Sequence, residues 1–469
     1  MVRKYTVFSL FSGAGGMDAG FLSTKNFQLL LANDILSVPG NTYSSNFGHK
    51  IVDVSEVKSF DGSFPLFLLG DIDDIDFDKV SVQDLDVIIG GPPCQDFSIV
   101  RGPQVERQGI EVKRGRLYAH FIKALIHLQP KIFVFENVPG LKSANAGKAY
   151  QTILQDFSRL RKQWSEIRKI VGNTSERDIK DYVVIFSNIV NAADLGVPQR
   201  RRRLIIIGVR ADLIDITNAS ELIRISENLL YGYDSIFKKY PLTPLEVFEG
   251  RALPELSIEY KNLMEQYSEV ADKVRTPRAK WWKDNIWKKL SFDPIEDYIA
   301  INKIAPADRT EVEQAFEEHK RLLKEIGYLK SPIEGKDFPD RSNCIPNEAK
   351  EVLDRLKMIP PDENHTFVAG TNWEVEGKGM SLIYRRIHPL KPSYTVVAYG
   401  GGGTWGYHYR RDRGKLTNRE RARLQTFPDS FIFKGSSAEI RAQIGEAVPP
   451  LLGRRIAEVV STILTKVKS

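Results

Sequence analysis

The chain has 469 residues, 42 % of them hydrophobic and 27 % charged, which fits a globular protein with length for more than one domain. Lysine and arginine total 67 against 60 aspartates and glutamates, a formal charge of +7 that leans mildly toward a polyanionic partner. The two cysteines, Cys94 and Cys344, have no CxxC spacing, which excludes a disulfide framework and a cysteine-ligated zinc site. No apolar run approaches the roughly 18 residues of a membrane span, and the N-terminus lacks a secretory h-region. A reducing, cytoplasmic setting is expected.

In chain order, strands are expected at residues 5–11, 27–32, 65–69, 86–89, 131–135, 182–190 and 204–209. Several are apolar at consecutive positions, as in parallel sheets covered on both faces. Between them, Leu117, Phe121, Ala124, Leu125 and Leu128 recur at helical spacing. The pattern predicts an α/β domain with a doubly wound, mostly parallel sheet. Residues 309–328 read as a charged helix, and residues 273–289, KVRTPRAKWWKDNIWKK, suit either phosphate contacts or an amphipathic surface helix.

Ligands of such sheets bind beyond the carboxyl ends of the strands. The residues that follow the first five runs are Ser12-Gly-Ala-Gly-Gly16, Asn33-Asp34, Gly70-Asp71, Pro92-Pro-Cys94 and Glu136-Asn137. The glycine turn is not a GxGxxG fingerprint, because Asp18 stands where the third glycine belongs. It remains a tight turn that lets a ligand approach the backbone. Asp34 is placed to accept from ribose hydroxyls and Asp71 from an adenine amino group. Cys94 reads either as a small buried hydrophobe or as a nucleophile. Two preceding prolines, the nearby Glu136 and the basic run Gln199-Arg-Arg-Arg-Arg203 favour the second reading.

FSGAGGMDAGF from Phe11, GGPPCQDFS from Gly90, ENV from Glu136, GVPQRRRR from Gly196, LTNRERARLQTFPD from Leu416 and QIGEAVPP from Gln443 follow in this order. Together they resemble the bacterial type of DNA cytosine-5 methyltransferase. The resemblance implies a methyltransferase with a Rossmann-like fold, dependent on S-adenosylmethionine and without metal, acting on double-stranded DNA as a monomer in the cytoplasm. Cys94, Glu136, Arg201 and Arg203 would be catalytic. Phe11, Gly13, Ala14, Gly15, Gly16, Asp34, Ile35, Asp71, Ile72, Pro93, Leu117, Glu446 and Val448 would line the cofactor site. Gln95, Ser98, Arg101, Gln199, Gly401 and Gly402 would meet DNA, with the basic segment 99–116 as a closing loop. Residues 1–210 and 436–469 would form a discontinuous catalytic domain, with a target-recognition domain and hinge at 211–435.

Two positions depart from the family pattern. Asp96 replaces a small residue, and its carboxylate disfavours ionisation of the thiol. Glu446 replaces asparagine, and would either repel the cofactor's carboxylate or pair with its ammonium. A restriction partner and a solitary regulatory role are both compatible with the chain. An RNA cytosine-5 methyltransferase usually has a shorter middle region. A noncatalytic DNA-binding regulator predicts loss of Cys94 or Glu136, and both are present.

Overall fold

The computed structural model describes residues 3–57, 60, 64–80, 82, 84–93, 117–171, 178–305, 308–375, 383–399 and 406–467. They form two compact units. The first comprises Met1–Ala192, Arg202–Asp234 and Ala447–Ser469, and the second Ala193–Arg201 and Ser235–Glu446.

The first unit is built on one sheet of eight strands: β1 (Tyr5–Leu10), β2 (Phe27–Asp34), β3 (Lys50–Asp53), β4 (Leu66–Leu69), β5 (Val87–Gly90), β6 (Ile132–Asn137), β7 (Tyr182–Asn191) and β8 (Arg202–Arg210). Their order is β3-β4-β2-β1-β5-β6-β8-β7. The first six in that order run parallel, while β8 is antiparallel to both β6 and β7. All seven strands expected from the apolar runs are present. The additional strand, β3, lies at the sheet edge and carries only two apolar residues in KIVD, too few to register as a pattern.

Helices cover both faces, as parallel strands require. Helix α1 (Gly16–Ser23) follows β1, and α2 (Ser37–Phe47) follows β2. Helix α3 (Leu117–Leu128) occupies the expected residues and is buried from Tyr118 onward. The C-terminal helix Pro450–Leu464 packs closely against α1. A Cβ added at Gly20 would lie 2.3 Å from the Pro450 carbonyl oxygen, and one at Gly453 would lie 2.7 Å from that of Met17. No side chain larger than hydrogen fits there. Helix Ile216–Leu230 packs on β7 and on the C-terminal helix, so this unit continues past β8 to Asp234.

The second unit is mainly helical and irregular. Its LTNRERARLQTFPD stretch forms the short helix Asn418–Leu424, opened by a capping box between Thr417 and Glu420. Arg423 donates to both oxygens of Asp429 at 3.0 and 2.6 Å and to the Val247 carbonyl at 2.8 Å. Arg419 pairs with Asp340 at 2.7 Å. These buried pairs fix the motif to its surroundings. Within residues 273–289, Trp282 is buried with Tyr267 and Phe367, whereas Trp281 is 45 % exposed beneath the Arg278 guanidinium, 4.3 Å from its ring.

A buried histidine gives this unit a pH dependence. His319 Nδ1 lies 2.9 Å from Glu246 Oε1 and Nε2 lies 2.8 Å from the Tyr240 carbonyl. Two acceptors require two donors, the imidazolium. Burial opposes that charge, but Glu246 and the Tyr240 carbonyl win and raise the pKa above 6.5. A raised folded pKa gives stability that is complete below the unfolded value and is lost as pH rises through the folded one. Urea midpoints of wild type should therefore fall above about pH 6.5 relative to His319→Gln. Parallel pH profiles of the two proteins would remove the imidazolium from the account.

Among the described residues no helix is long and apolar enough to cross a membrane, and no group of three or more His, Cys, Asp or Glu residues is placed to hold a metal ion.

Candidate active site at the strand ends of the first unit

Register brings the chemistry-bearing residues level. Leu10 aligns with Asn33 and with Gly90, Asp34 with Leu69, and Gly90 with Phe135. Phe11, Asp34, Gly70, Gly91 and Glu136 therefore leave the sheet along one edge. Neighbouring strands sit about 4.8 Å apart, so this edge spans the length of a small extended ligand.

The glycine turn is held from β2. Gly13 N–H donates to Asp34 Oδ2 at 2.9 Å, Leu36 N–H donates to Oδ1 at 2.9 Å, and Ser12 N–H donates to the Asn33 carbonyl at 3.0 Å. Burial raises the Asp34 pKa, while the Leu36 and Gly13 donors resist that rise. Gly13 and Gly15 have φ of 54° and 87°, a region that favours glycine. A Cβ at Gly13 would meet nothing within 4 Å, so its backbone is open on that side. At Gly15 the same atom would lie 2.3 Å from the Phe47 ring. Gly16 and Ala14 are buried, and Phe11 is half-buried. Beside Asp34, Ile35 and Leu36 are 61 % and 51 % exposed, an apolar pair next to a carboxylate. Asp71 accepts from Asp73 N–H at 3.1 Å and Ile72 is buried beneath it.

Asn137 Nδ2 donates to the Pro92 carbonyl at 3.1 Å, which ties the turn before Cys94 to the end of β6. Pro93 is exposed, Leu117 is half-buried at the start of α3, and Val448 is buried in the first unit. Gly91 passes so close to Glu136 that a Cβ there would lie 2.7 Å from Oε2. Glu136 Oε1 meets Arg203 Nε at 2.8 Å. Because β8 runs antiparallel to β6, its first residues stand level with the last residues of β6, and Glu136 aligns with Ile205. That reversal is what brings Arg203 to the edge. Burial lowers the Arg203 pKa and the adjacent Glu136 opposes the shift.

Two of the expected site residues are buried in the second unit. Gln199 is fully buried in the second unit: its amide donates to the Leu424 carbonyl at 2.9 Å and to Gln425 Oε1 at 2.6 Å, and accepts from Val396 N–H at 2.9 Å. Arg201, also fully buried there, donates to the carbonyls of Val396 at 3.1 Å, Gly445 at 2.8 Å and Glu446 at 3.4 Å. Both were assigned from the resemblance of GVPQRRRR to the family motif, and the structure adds backbone carbonyls as partners of Arg201. Glu446 ends helix Ser437–Glu446 and is exposed. Cys94, Gln95, Asp96, Ser98, Arg101, Gly401, Gly402 and the segment 99–116 lie outside the described residues.

One pair was not anticipated. Asp18, considered in the sequence only as the residue that interrupts GxGxxG, is buried and accepts from Tyr43 Oη at 2.8 Å. Burial pushes its carboxyl up to about 6, against hydrogen bonds from Ser9 and Tyr43. The pair joins α1 to α2 under the glycine turn. Its only sequence signal was a carboxylate at a buried helical position.

The model of the family C-5 cytosine-specific DNA methylase matches residues 5–462. The chain belongs to this family. It is 53 % identical over 469 residues to the DNA (cytosine-5-)-methyltransferase M.ApeKI of Aeropyrum pernix, covering 99 % of this chain and 100 % of that one. It is 31 % identical to the type II methyltransferase M.NgoFVII of Neisseria gonorrhoeae, covering 98 % of this chain and 87 % of the relative. A crystal structure described as a DNA modification methyltransferase encoded within an E. coli prophage is similar in fold, with a TM-score of 0.54 at 20 % identity, covering 98 % of this chain and all of that one. The chain is thus a DNA (cytosine-5-)-methyltransferase, with the methyltransferase sheet described above as its frame.

Proposed function

We propose that this methyltransferase uses S-adenosylmethionine to methylate C5 of a cytosine flipped out of a specific duplex sequence, through a covalent adduct between Cys94 and C6. The observation that carries the reading is the ion pair of Glu136 with Arg203 on the same strand edge as Asp34 and the glycine turn. A stacked base is out of reach of groups on such an edge, so the base must leave the helix.

The residues at the ends of β1, β2 and β4 fit the cofactor: an open backbone at Gly13, a carboxylate at Asp34 and an exposed apolar neighbour in Ile35. When bound there, the cofactor supplies an electrophilic methyl group. The C5 carbon of cytosine is a poor nucleophile. Addition of the Cys94 thiolate to C6 forms a C–S bond and turns the ring into an enamine whose C5 is reactive. Glu136 donates a proton at N3 to offset the charge developing on the ring, and Arg203 orients it. After C5 is methylated, a base removes its proton, the C–S bond breaks and the thiolate is restored.

Residues 1–210 with 436–469 are read as the catalytic domain and 211–435 as the target-recognition domain. The type II relatives support a role as the modification enzyme of a restriction–modification system. Bisulfite sequencing of DNA from cells expressing the protein tests the reading: protected cytosines should recur in one short sequence. Their absence would overturn it.

The cofactor assignment makes its own prediction. Asp34→Ala should weaken S-adenosylmethionine binding by about 1.5–3 kcal/mol, the range for hydrogen bonds to a charged group. Unchanged affinity by calorimetry would move the ribose contact elsewhere.

A further inference from the structure

The residue that interrupts GxGxxG places a charge where a ligand's charge is commonly received. Asp18 is 1 % exposed in the first turn of α1, the end of a helix that favours an anion and that in dinucleotide-binding folds receives a pyrophosphate. Here the protein's own carboxylate takes that position. It accepts from Tyr43 Oη at 2.8 Å and from Ser9. Burial lifts its pKa to about 6, so above neutral pH it is largely ionised.

Among the described residues no salt bridge engages Asp18, and no cation contributes to its shift. The charged and titratable groups of the neighbouring elements are committed elsewhere. Arg454 and Arg455 of the C-terminal helix pair with Glu458 at 3.1 and 3.0 Å. Asp34 at the end of β2 holds Gly13 and Leu36, and Tyr5 stands at the opposite end of β1. His49, whose ring lies 5.0 Å from that of Tyr43, is held neutral by burial, its pKa lowered to about 4. A buried carboxylate held by hydroxyls and balanced by no cation is a negative potential maintained at a cost. A positively charged ligand at the glycine turn above it offsets that cost.

We propose that Asp18 is a specificity-determining residue whose buried charge biases the glycine turn toward the positively charged sulfonium of the methyl donor and against the neutral thioether left after transfer. The inference rests on the reading of this strand edge as the cofactor site. Donor and product share adenine, ribose and the amino-acid group, and differ by one methyl and one positive charge. Contacts to the shared parts, that of Asp34 included, therefore cancel in the ratio of the two affinities. A charge acts on that ratio without touching either ligand. In turnover it shifts exchange toward fresh donor.

The test titrates the full chain by calorimetry with S-adenosylmethionine and with its demethylated product, S-adenosylhomocysteine, from about pH 5 to about pH 8. At the upper end, Asp18→Asn, which keeps the shape and removes the charge, should lower the donor-to-product affinity ratio by about fivefold or more. In wild type the ratio should fall as pH drops through the Asp18 pKa, because a protonated carboxyl carries no charge, and in Asp18→Asn it should stay level. Tyr43→Phe removes a donor that favours the ionised form, so the midpoint of that fall should move to higher pH. A purely structural part for Asp18 would weaken both ligands alike. An unchanged ratio in Asp18→Asn, or a wild-type ratio that does not vary with pH, would overturn the proposal. If Asp18→Asn does not fold, Tyr43→Phe decides, and an unmoved midpoint rejects the charge. Asp34→Ala separates this role from the reading beneath it. If wild type binds neither ligand, or Asp34→Ala leaves both affinities unchanged, the cofactor site lies elsewhere and the proposal falls with it. If Asp34→Ala weakens both ligands while Asp18→Asn leaves their ratio as it was, the role of Asp18 alone fails.

Discussion

Cys94→Ser should abolish methyl transfer, by at least about four orders of magnitude, and leave duplex affinity within a few fold. Serine is close to cysteine in size, so the turn from Gly90 through Pro93 and its hydrogen bond from Asn137 should survive. What is lost is a nucleophile that is partly ionised near neutral pH, since an alkoxide is far harder to form than a thiolate. The wild-type protein offers the complementary experiment. A duplex with 5-fluorocytosine at the target should trap it as a denaturation-resistant adduct, because the proton to be eliminated is replaced by fluorine. The adduct should require cofactor and should not form with the serine variant. Labelled methyl transfer by Cys94→Ser at near wild-type rate would reject covalent catalysis.

Ending the chain after Pro450 should unfold the first unit rather than trim it. The C-terminal helix buries Leu451, Leu452, Ile456, Val459, Val460, Ile463 and Leu464, each at 7 % exposure or less. At about 1.5–3 kcal/mol for each large apolar side chain, their removal exceeds much or all of a typical stability of about 5–15 kcal/mol. Gly453→Val tests the same contact without shortening the chain, since its Cβ would lie 2.7 Å from the Met17 carbonyl oxygen. Both variants should lose cofactor binding and melt well below wild type. A truncated chain that melts like the full-length protein would show that the helix is dispensable.

The strands were legible because apolar runs such as Val87–Gly90 are buried on both faces and leave nothing else for those residues to do. Helix α3 was legible to the residue because the apolar positions of Leu117–Leu128 keep helical spacing throughout. The edge strand β3 was not, since two apolar residues define no period. At the site, Asp34 and Glu136 could be read because each directly follows an apolar run. The burial of Gln199 and Arg201 was not legible, for a general reason. Their partners are carbonyls and a side chain of residues 396–446, and sequence does not announce a backbone acceptor. Asp18 was passed over because its partner, Tyr43, becomes visible only when α1 and α2 are folded together.

The contact between α1 and the C-terminal helix also sets a clock for synthesis. Met17 and Gly20 emerge early, but the glycine that receives them is Gly453, and roughly two hundred residues of the second unit separate the parts of the first. About 430 residues separate α1 from that helix, so at ~5–20 residues per second the apolar face awaiting it stays uncovered for about 20–90 seconds on every ribosome. The second unit can complete itself in that interval, whereas the nascent sheet cannot, so the burden of preventing aggregation during translation falls on whatever shields α1 until the last helix arrives.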